Sequence, residues 1–407
     1  MSMLPRYRNN IKSKFSDDLT NHEIEIEDER PVYLQVYEDE ILTPQSPDEP
    51  EPFESENFNV YEYLYQNEPP EGVEIALSDV SDKDTIWDTQ RHKTATVGDI
   101  YSYNAEFERY YERMSDCSTW LMFGFNKKGV KLKNANFCRI RHCPVCQWRK
   151  SLFWKHNMYV AYDEIKNEYP THRWIFLTLT VKNCEIGDLR ETLQHMNKAW
   201  DRLAKRKVFK SVVDGWIRTT EVTRPKDAND PSHKKICPIK GNTHAHPHFH
   251  VMLLVKPSYF AKNYIKQDEW TELWRDVLRV DYQPVVDIRA IKNKSRKKDF
   301  DPDVAVKNAI AETLKYAVKP SDLVGDGSKK ANEWFFELTR QTFKLRFISS
   351  GGVLKDAFKA DEKITNDDLI DTGSDEDDEI GETDERRLAF TFRKDKSKYL
   401  YAPQYNQ

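Results

Sequence analysis

The chain has 407 residues, 32% charged and 38% hydrophobic, with a mean hydropathy of −0.81 and a formal net charge of −5. That length allows two or three domains with a sizeable core. No apolar run approaches the ~18–20 residues needed to span a membrane, and the start, MSMLPRYRNNIKSKF, lacks the apolar region of a secretory leader. The expectation is a soluble, cytoplasmic chain with no membrane partner. Its six cysteines then argue for metal ligation or inert thiols rather than a disulfide scaffold.

The small net charge conceals a partition. Residues 1–100 carry 24 acidic against 8 basic side chains and residues 361–385 carry 13 against 1, leaving a net of +18 over residues 101–360. A basic body between two acidic arms is the electrostatic footprint of nucleic-acid binding.

In chain order, the first arm, to about Val97, is rich in Glu, Asp, Pro and Asn, as in SPDEPEPFESENF, and reads as largely disordered. Short alternating pieces at Val32–Val36 and Val60–Tyr65 have strand character. Next, Cys138, Cys143 and Cys146 in FCRIRHCPVCQWRK have the spacing of a structural zinc site, with Cys117 the natural fourth ligand and His142 its rival. A redox CxxC pair and inert thiols are the competing readings. Cys184 and Cys237 stand alone. A basic, aromatic helix starts at Gln147 and continues to about Tyr169, either as a DNA contact or as a packing brace.

From Arg173 strands and helices alternate. Trp174–Val181 and Trp216–Thr223 read as strands, with a helix over Asp188–Val208 between them, its apolar face being Leu189, Leu193, Met196, Trp200 and Leu203. A polar loop leads to Thr243–Leu254, THAHPHFHVMLL. There His244, His246, His248 and His250 recur every second residue, so in a strand they share one face. A surface histidine cluster is the bland alternative. A helix within Lys262–Val280, a strand over Gln283–Ile291 and a helix over Asp303–Lys319, capped by Asp301 or Asp303, complete the order βαββαβα. That order is an α+β fold, a split βαβ antiparallel sheet with helices on one face.

The last helix carries AETLKYAVKPSDL. With Glu312 and Tyr316 four apart and Lys319 three further on, all three project from one helical face, as a catalytic group or as a solvated stripe. Further on, Trp334–Phe347 reads as a helix ended by Ser349–Gly352, and Leu388–Tyr401 as a basic, aromatic tail. Lys292–Lys298 (KNKSRKK) is either a DNA-backbone clamp or a solvated loop. Gly325–Lys330 lacks the G-x4-GK[ST] spacing, so no ATPase is expected.

Taken in order, Phe176-Leu-Thr-Leu-Thr180, His246-Pro-His-Phe-His250 and Glu312-x3-Tyr316-x2-Lys319 resemble the three motifs of plasmid rolling-circle replication initiators (Rep) in the HUH endonuclease superfamily. The branch with a single tyrosine, a motif-three glutamate and a preceding cysteine block is the most similar, over roughly residues 115–325. The resemblance implies a metal-dependent DNA nickase and strand transferase. His248 and His250 would hold Mn²⁺ or Mg²⁺, with Glu221 the first choice of third ligand, His246 the second and His244 a distant third. Tyr316 would be the nucleophile, Glu312 a general base for water, and Lys319 a cation for the phosphate or the phenol. Origin DNA, duplex and single-stranded, a host helicase and a host polymerase are the implied partners, with a homodimer possible.

Domains are accordingly expected at 1–97 (acidic arm), 98–170 (zinc-binding module and basic helix), 171–358 (HUH nicking and joining) and 359–407 (acidic linker and basic tail). The arms either brake DNA binding or aid solubility. A relaxase or single-tyrosine transposase, and a zinc-containing regulator without catalysis, are the alternative readings.

Overall fold

The computed structural model describes residues 60–67, 69, 73–126, 129–232, 235–291, 302–314, 318–355, 363–373 and 386–405. Helices α1 (Val60–Gln66), α2 (Leu77–Val80), α3 (Ile86–Tyr101) and α4 (Glu108–Asp116) precede strands β1 (Trp120–Asn126) and β2 (Gly129–Ala135) and the long helix α5 (Pro144–Glu168). Then follow β3 (Arg173–Thr180), β4 (Cys184–Glu185), α6 (Leu189–Lys205), α7 (Lys207–Val212), β5 (Val213–Thr223) and β6 (His244–Val255). The chain continues through α8 (Gln267–Leu278), β7 (Val286–Ala290), α9 (Pro302–Thr313), α10 (Pro320–Val324), α11 (Lys329–Thr342) and β8 (Ile348–Gly352). Last come α12 (Asn366–Ile370), β9 (Arg386–Arg393) and β10 (Lys398–Tyr401).

The central sheet runs β7-β3-β6-β5-β8, every neighbouring pair antiparallel, with β4 pairing the start of β6. This is the expected split βαβ order, and the protein is α+β. The predicted face of α6 is the one buried: Leu189, Leu193, Met196, Trp200 and Leu203 are all at most 1% exposed. Helices, however, cover both faces of the sheet rather than one. On one face Trp200 of α6 and Phe249 of β6 flank the Arg218 guanidinium, and Phe249 meets Trp274 of α8. On the other, Tyr162 of α5 packs on Trp174 of β3, and its hydroxyl donates to Asp303 at the start of α9 (2.8 Å). Lys166 of α5 pairs with the same carboxylate. The basic helix thus braces the sheet, one of the two roles its sequence offers.

A second antiparallel sheet, β10-β9-β1-β2, carries the module around the cysteines. Two of its strands, β9 inside the sheet and β10 at one edge, come from the basic, aromatic tail, so residues 386–401 belong to this sheet rather than to a separate tail. Leu388, Phe390 and Tyr399 are fully buried, with Phe390 against Phe123, Phe125 and Tyr401.

The expected end of the acidic arm at residue 97 falls inside α3. Leu64, Leu77, Trp87 and Val97 are buried, because the few apolar residues of this polar stretch each meet the module's core. Val60–Tyr65 forms helix α1 rather than a strand; Leu64 is its buried anchor and Tyr61 stacks on Phe125 (5.7 Å). Strand propensity in so short a piece yields to tertiary packing. Residues 1–59, with Val32–Val36, lie outside the described residues, as do Lys292–Lys298, Asp301 and most of the second acidic run.

Two further boundaries differ. The helix expected over Asp303–Lys319 stops at Thr313, and Lys319 is extended (ψ 139°) as the residue before α10. Pro320 accounts for the extended Lys319, since a residue preceding proline is disfavoured in the helical region. The stretch expected to end α11 is instead strand β8, whose Gly351 lies so close to Trp216 that a Cβ would stand 2.5 Å from the indole.

Phe390→Ala should destabilise the protein by about 3–5 kcal/mol in urea unfolding; an unchanged midpoint would show that β9 is not part of the core.

Candidate active site and metal centres

Strand pairing assembles the first cluster. Glu221 of β5 stands directly opposite His248 of β6, and Thr219 opposite His250, so all four side chains share one face. Glu221 Oε2 lies 3.1 Å from His248 Nε2 and 2.9 Å from His250 Nε2, and the two imidazole nitrogens are 3.0 Å apart. Three ligand atoms at these separations match adjacent corners of an octahedron with metal–ligand bonds of ~2.1 Å, whose edges are about 3.0 Å. A tetrahedral ion of the same size would need edges of about 3.4 Å. Glu221, His248 and His250 could therefore hold one ion on a single face, with other positions open.

The electrostatics suit a cation. Burial pushes the Glu221 carboxyl up, but hydrogen bonds from His248 and His250 outweigh it and hold the group well below the usual carboxylate range. The ring nitrogens turned away from the cluster have partners of their own. His250 Nδ1 meets the Thr178 hydroxyl at 3.4 Å across the β3–β6 pair, and His248 Nδ1 approaches the His246 carbonyl at 3.4 Å. Such contacts fix the ring orientation of ligand histidines.

The other two histidines of the comb stay out of the cluster. His246 Nδ1 pairs with Asn183 Oδ1 at 2.6 Å, and burial followed by the charge of His248 pushes its pKa down to about 4. His244 meets the Thr243 hydroxyl at 2.8 Å. His246 stands opposite Thr223 and His244 opposite Glu185 of β4, so only His248 and His250 converge with Glu221.

Beside the cluster lies a cleft into which Glu221, His250, Glu312 and Lys319 all face. The Thr219 hydroxyl donates to the Thr313 carbonyl (2.9 Å), tying the end of α9 to the strand that carries Glu221. Lys319 reaches the cleft from the segment leading into α10, not from the helical face that carries Glu312. Tyr316 lies outside the described residues, between Leu314 and Lys319, which both line the cleft. Thr178 lies in the first of the three motifs, whereas Thr219 and Asn183 had no sequence signal of their own.

The second cluster joins Cys117 after α4, Cys138 before α5, and Cys143 and Cys146 at the start of α5. Their sulfurs stand 3.6 Å (Cys117–Cys143), 3.6 Å (Cys117–Cys146) and 3.7 Å (Cys138–Cys146) apart. The edge of a thiolate tetrahedron around an ion with ~2.3 Å bonds is about 3.8 Å. Backbone N–H groups of Cys138, Arg139 and Ile140 point at these sulfurs, as a charged cluster requires. Hydrogen bonding among the sulfurs raises Cys117 and burial raises Cys138; at Cys143 burial is outweighed by hydrogen bonds from the other three, which hold its thiol well below normal. Four cysteine sulfurs at these separations could hold one metal ion, which would take them as thiolates. His142, the rival fourth ligand, turns away to the Thr342 hydroxyl (3.3 Å), and burial pushes its pKa down to about 3. Cys184 and Cys237 belong to neither cluster.

Fold and site together define a protein with two candidate metal centres: a buried four-cysteine cluster beside an open carboxylate–imidazole cluster on an antiparallel sheet. A family model described as "Replication protein" matches residues 129–400, and the chain belongs to this family, that of the plasmid rolling-circle Rep proteins. "Protein rep" of Streptococcus pneumoniae serotype 2 (strain D39 / NCTC 7466) is 32% identical over 301 residues, 72% of this chain and 86% of the relative. "Protein rep" of Bacillus amyloliquefaciens is 35% identical over 259 residues, covering 61% and 72%. A Staphylococcus aureus "Replication protein" is 34% identical over 221 residues, covering 52% and 85%. No solved structure matches. Family membership makes the chain a plasmid replication initiator and implies that it binds origin DNA. Among the described residues no helix is long and apolar enough to cross a membrane.

Metal analysis of the purified protein should find one tightly held ion per chain that Cys117→Ser releases, with a fall in Tm of several degrees. Full retention in the variant would remove Cys117 from the ligand set.

Proposed function

We propose that this initiator nicks one strand of its plasmid origin through Tyr316 and later ends replication by strand transfer or hydrolysis in the same cleft. The observation that carries the reading is the convergence of Glu221, His248 and His250 on one point beside Glu312 and Lys319. The Rep family supports replication over the relaxase and transposase readings, and the cluster's geometry argues against a regulator with merely structural histidines.

Mn²⁺ or Mg²⁺ would be held by Glu221, His248 and His250, with imidazole favouring manganese. When bound, such an ion supplies Lewis-acid polarisation of a phosphate oxygen. Zinc would be the ion of the four cysteines. His246, fixed by Asn183, would support the ligands from outside the set. In the nicking step the Tyr316 oxygen attacks phosphorus, the bond from phosphorus to the 3′-oxygen breaks, and that oxygen leaves as a 3′-hydroxyl after taking up a proton. The product is a 5′-phosphotyrosyl link, which conserves the bond energy for strand transfer, and a free primer end. Lys319, on the cleft wall, would stabilise phosphate charge or lower the phenol's proton affinity. Glu312 would act as general base on water at termination, so that no second covalent link forms. A host helicase and polymerase would unwind and extend.

Incubation with Mn²⁺ and a supercoiled plasmid carrying the cognate origin should give nicked circles and a covalent protein–DNA adduct, both absent with Tyr316→Phe. Specific binding without an adduct from the wild-type chain would favour the regulator. Glu312→Gln should leave adduct formation intact but slow its hydrolytic release by about 10²–10⁴-fold; release at the wild-type rate would take Glu312 out of the mechanism.

A further inference from the structure

The cleft beside Glu221 has a second wall, and that wall belongs to the cysteine module. Helix α5 begins in the thiolate cluster and then runs across the sheet, so Gln147 and Trp154 line the same cleft as His250 and Glu312. Arg141 joins them from the turn between Cys138 and Cys143. Two of the four cluster sulfurs bracket that turn, and Arg139 within it has positive φ (55°), so its path is tightly constrained.

The Arg141 side chain is held as well. Its guanidinium lies over the Phe347 ring (4.7 Å to the centroid) and donates to the Leu345 carbonyl, while the Gln147 amide donates to the Arg141 carbonyl. A planar cation stacked on an aromatic ring loses little freedom when it binds a phosphate bidentately. The cleft otherwise presents the carboxylates of Glu221 and Glu312, which repel a DNA backbone. Among the described residues lining it, Arg141 and Lys319 are the cations. Trp154, 8% exposed, also lines the cleft, and its buried indole N–H has no partner among the described residues.

We infer that the cysteine module forms the far wall of the nicking cleft, with Arg141 gripping a single-stranded DNA backbone phosphate beside the one to be cut. The thiolate cluster then acts as the staple that keeps this arginine facing the Glu221–His248–His250 group. This inference rests on the nicking reading of the cleft and deepens it.

The test uses the full chain carrying Tyr316→Phe, so that no reaction intervenes, and measures (dT)12 binding as a function of salt. Adding Arg141→Gln should weaken binding roughly tenfold at ~0.1 M salt and make the log–log salt slope shallower by about 0.7, the value for one phosphate contact on a single strand. Arg141→Lys should keep the slope. An unchanged slope and affinity in Arg141→Gln, in protein that retains its cysteine-bound metal, would overturn the inference. If Arg141→Gln does not fold, phenylglyoxal labelling of the Arg141-containing chain decides instead: (dT)12 should protect Arg141, and equal labelling with and without DNA would overturn the inference. Failure of the nicking reading appears elsewhere, as no adduct from the wild-type chain on origin plasmid, so the two failures are distinguishable.

Discussion

Everything at the site depends on the register between β5 and β6. With Glu221 opposite His248, one carboxylate oxygen and two imidazole nitrogens meet within 3.1 Å of one another. A slip of one residue would turn Glu221 to the opposite face, among the apolar side chains under α6 and α8. The register is held by what lies on that opposite face. Ala245, Phe249 and Val251 are fully buried there, and Arg218 is sandwiched between Trp200 and Phe249. Packing on one side of the sheet thus fixes chemistry on the other.

The second constraint is the thiolate staple. Its four sulfurs come from three separate places in the chain, after α4, before α5 and within the first turn of α5, and they fix how α5 leaves the module. Because α5 then crosses the sheet and ties to α9 through Asp303, the staple's geometry is transmitted to the end of α9, where Glu312 sits. The C-terminal strands complete the module's sheet, so residues far apart in sequence support one wall of the cleft.

Much of this was legible in the sequence, for identifiable reasons. The alternating histidines and the cysteine spacing are local patterns, and each reads directly as a strand face or a metal knuckle. Glu221 was readable too, because a strand followed by a connecting loop and a second strand pairs antiparallel and sets a parity. What was not legible depends on tertiary contact. Asn183 has no spacing that marks it, and Arg141 is one cation among many until the fold turns α5 over the sheet. Trp87 and Leu64 were hidden in an acidic stretch whose composition resembles a disordered arm. Helical spacing continues through Lys319, but α9 ends at Thr313, and Pro320 holds Lys319 in an extended conformation before α10.

The function proposed for the cleft depends on the carboxylate–imidazole cluster being a cation site. Electron paramagnetic resonance of Mn²⁺ titrated into the full chain, its cysteine cluster loaded, tests this without DNA or turnover. One site per chain is predicted, weakened at least about tenfold by Glu221→Ala and by His250→Ala. Mn²⁺ binding with the same stoichiometry and affinity in both variants would contradict it.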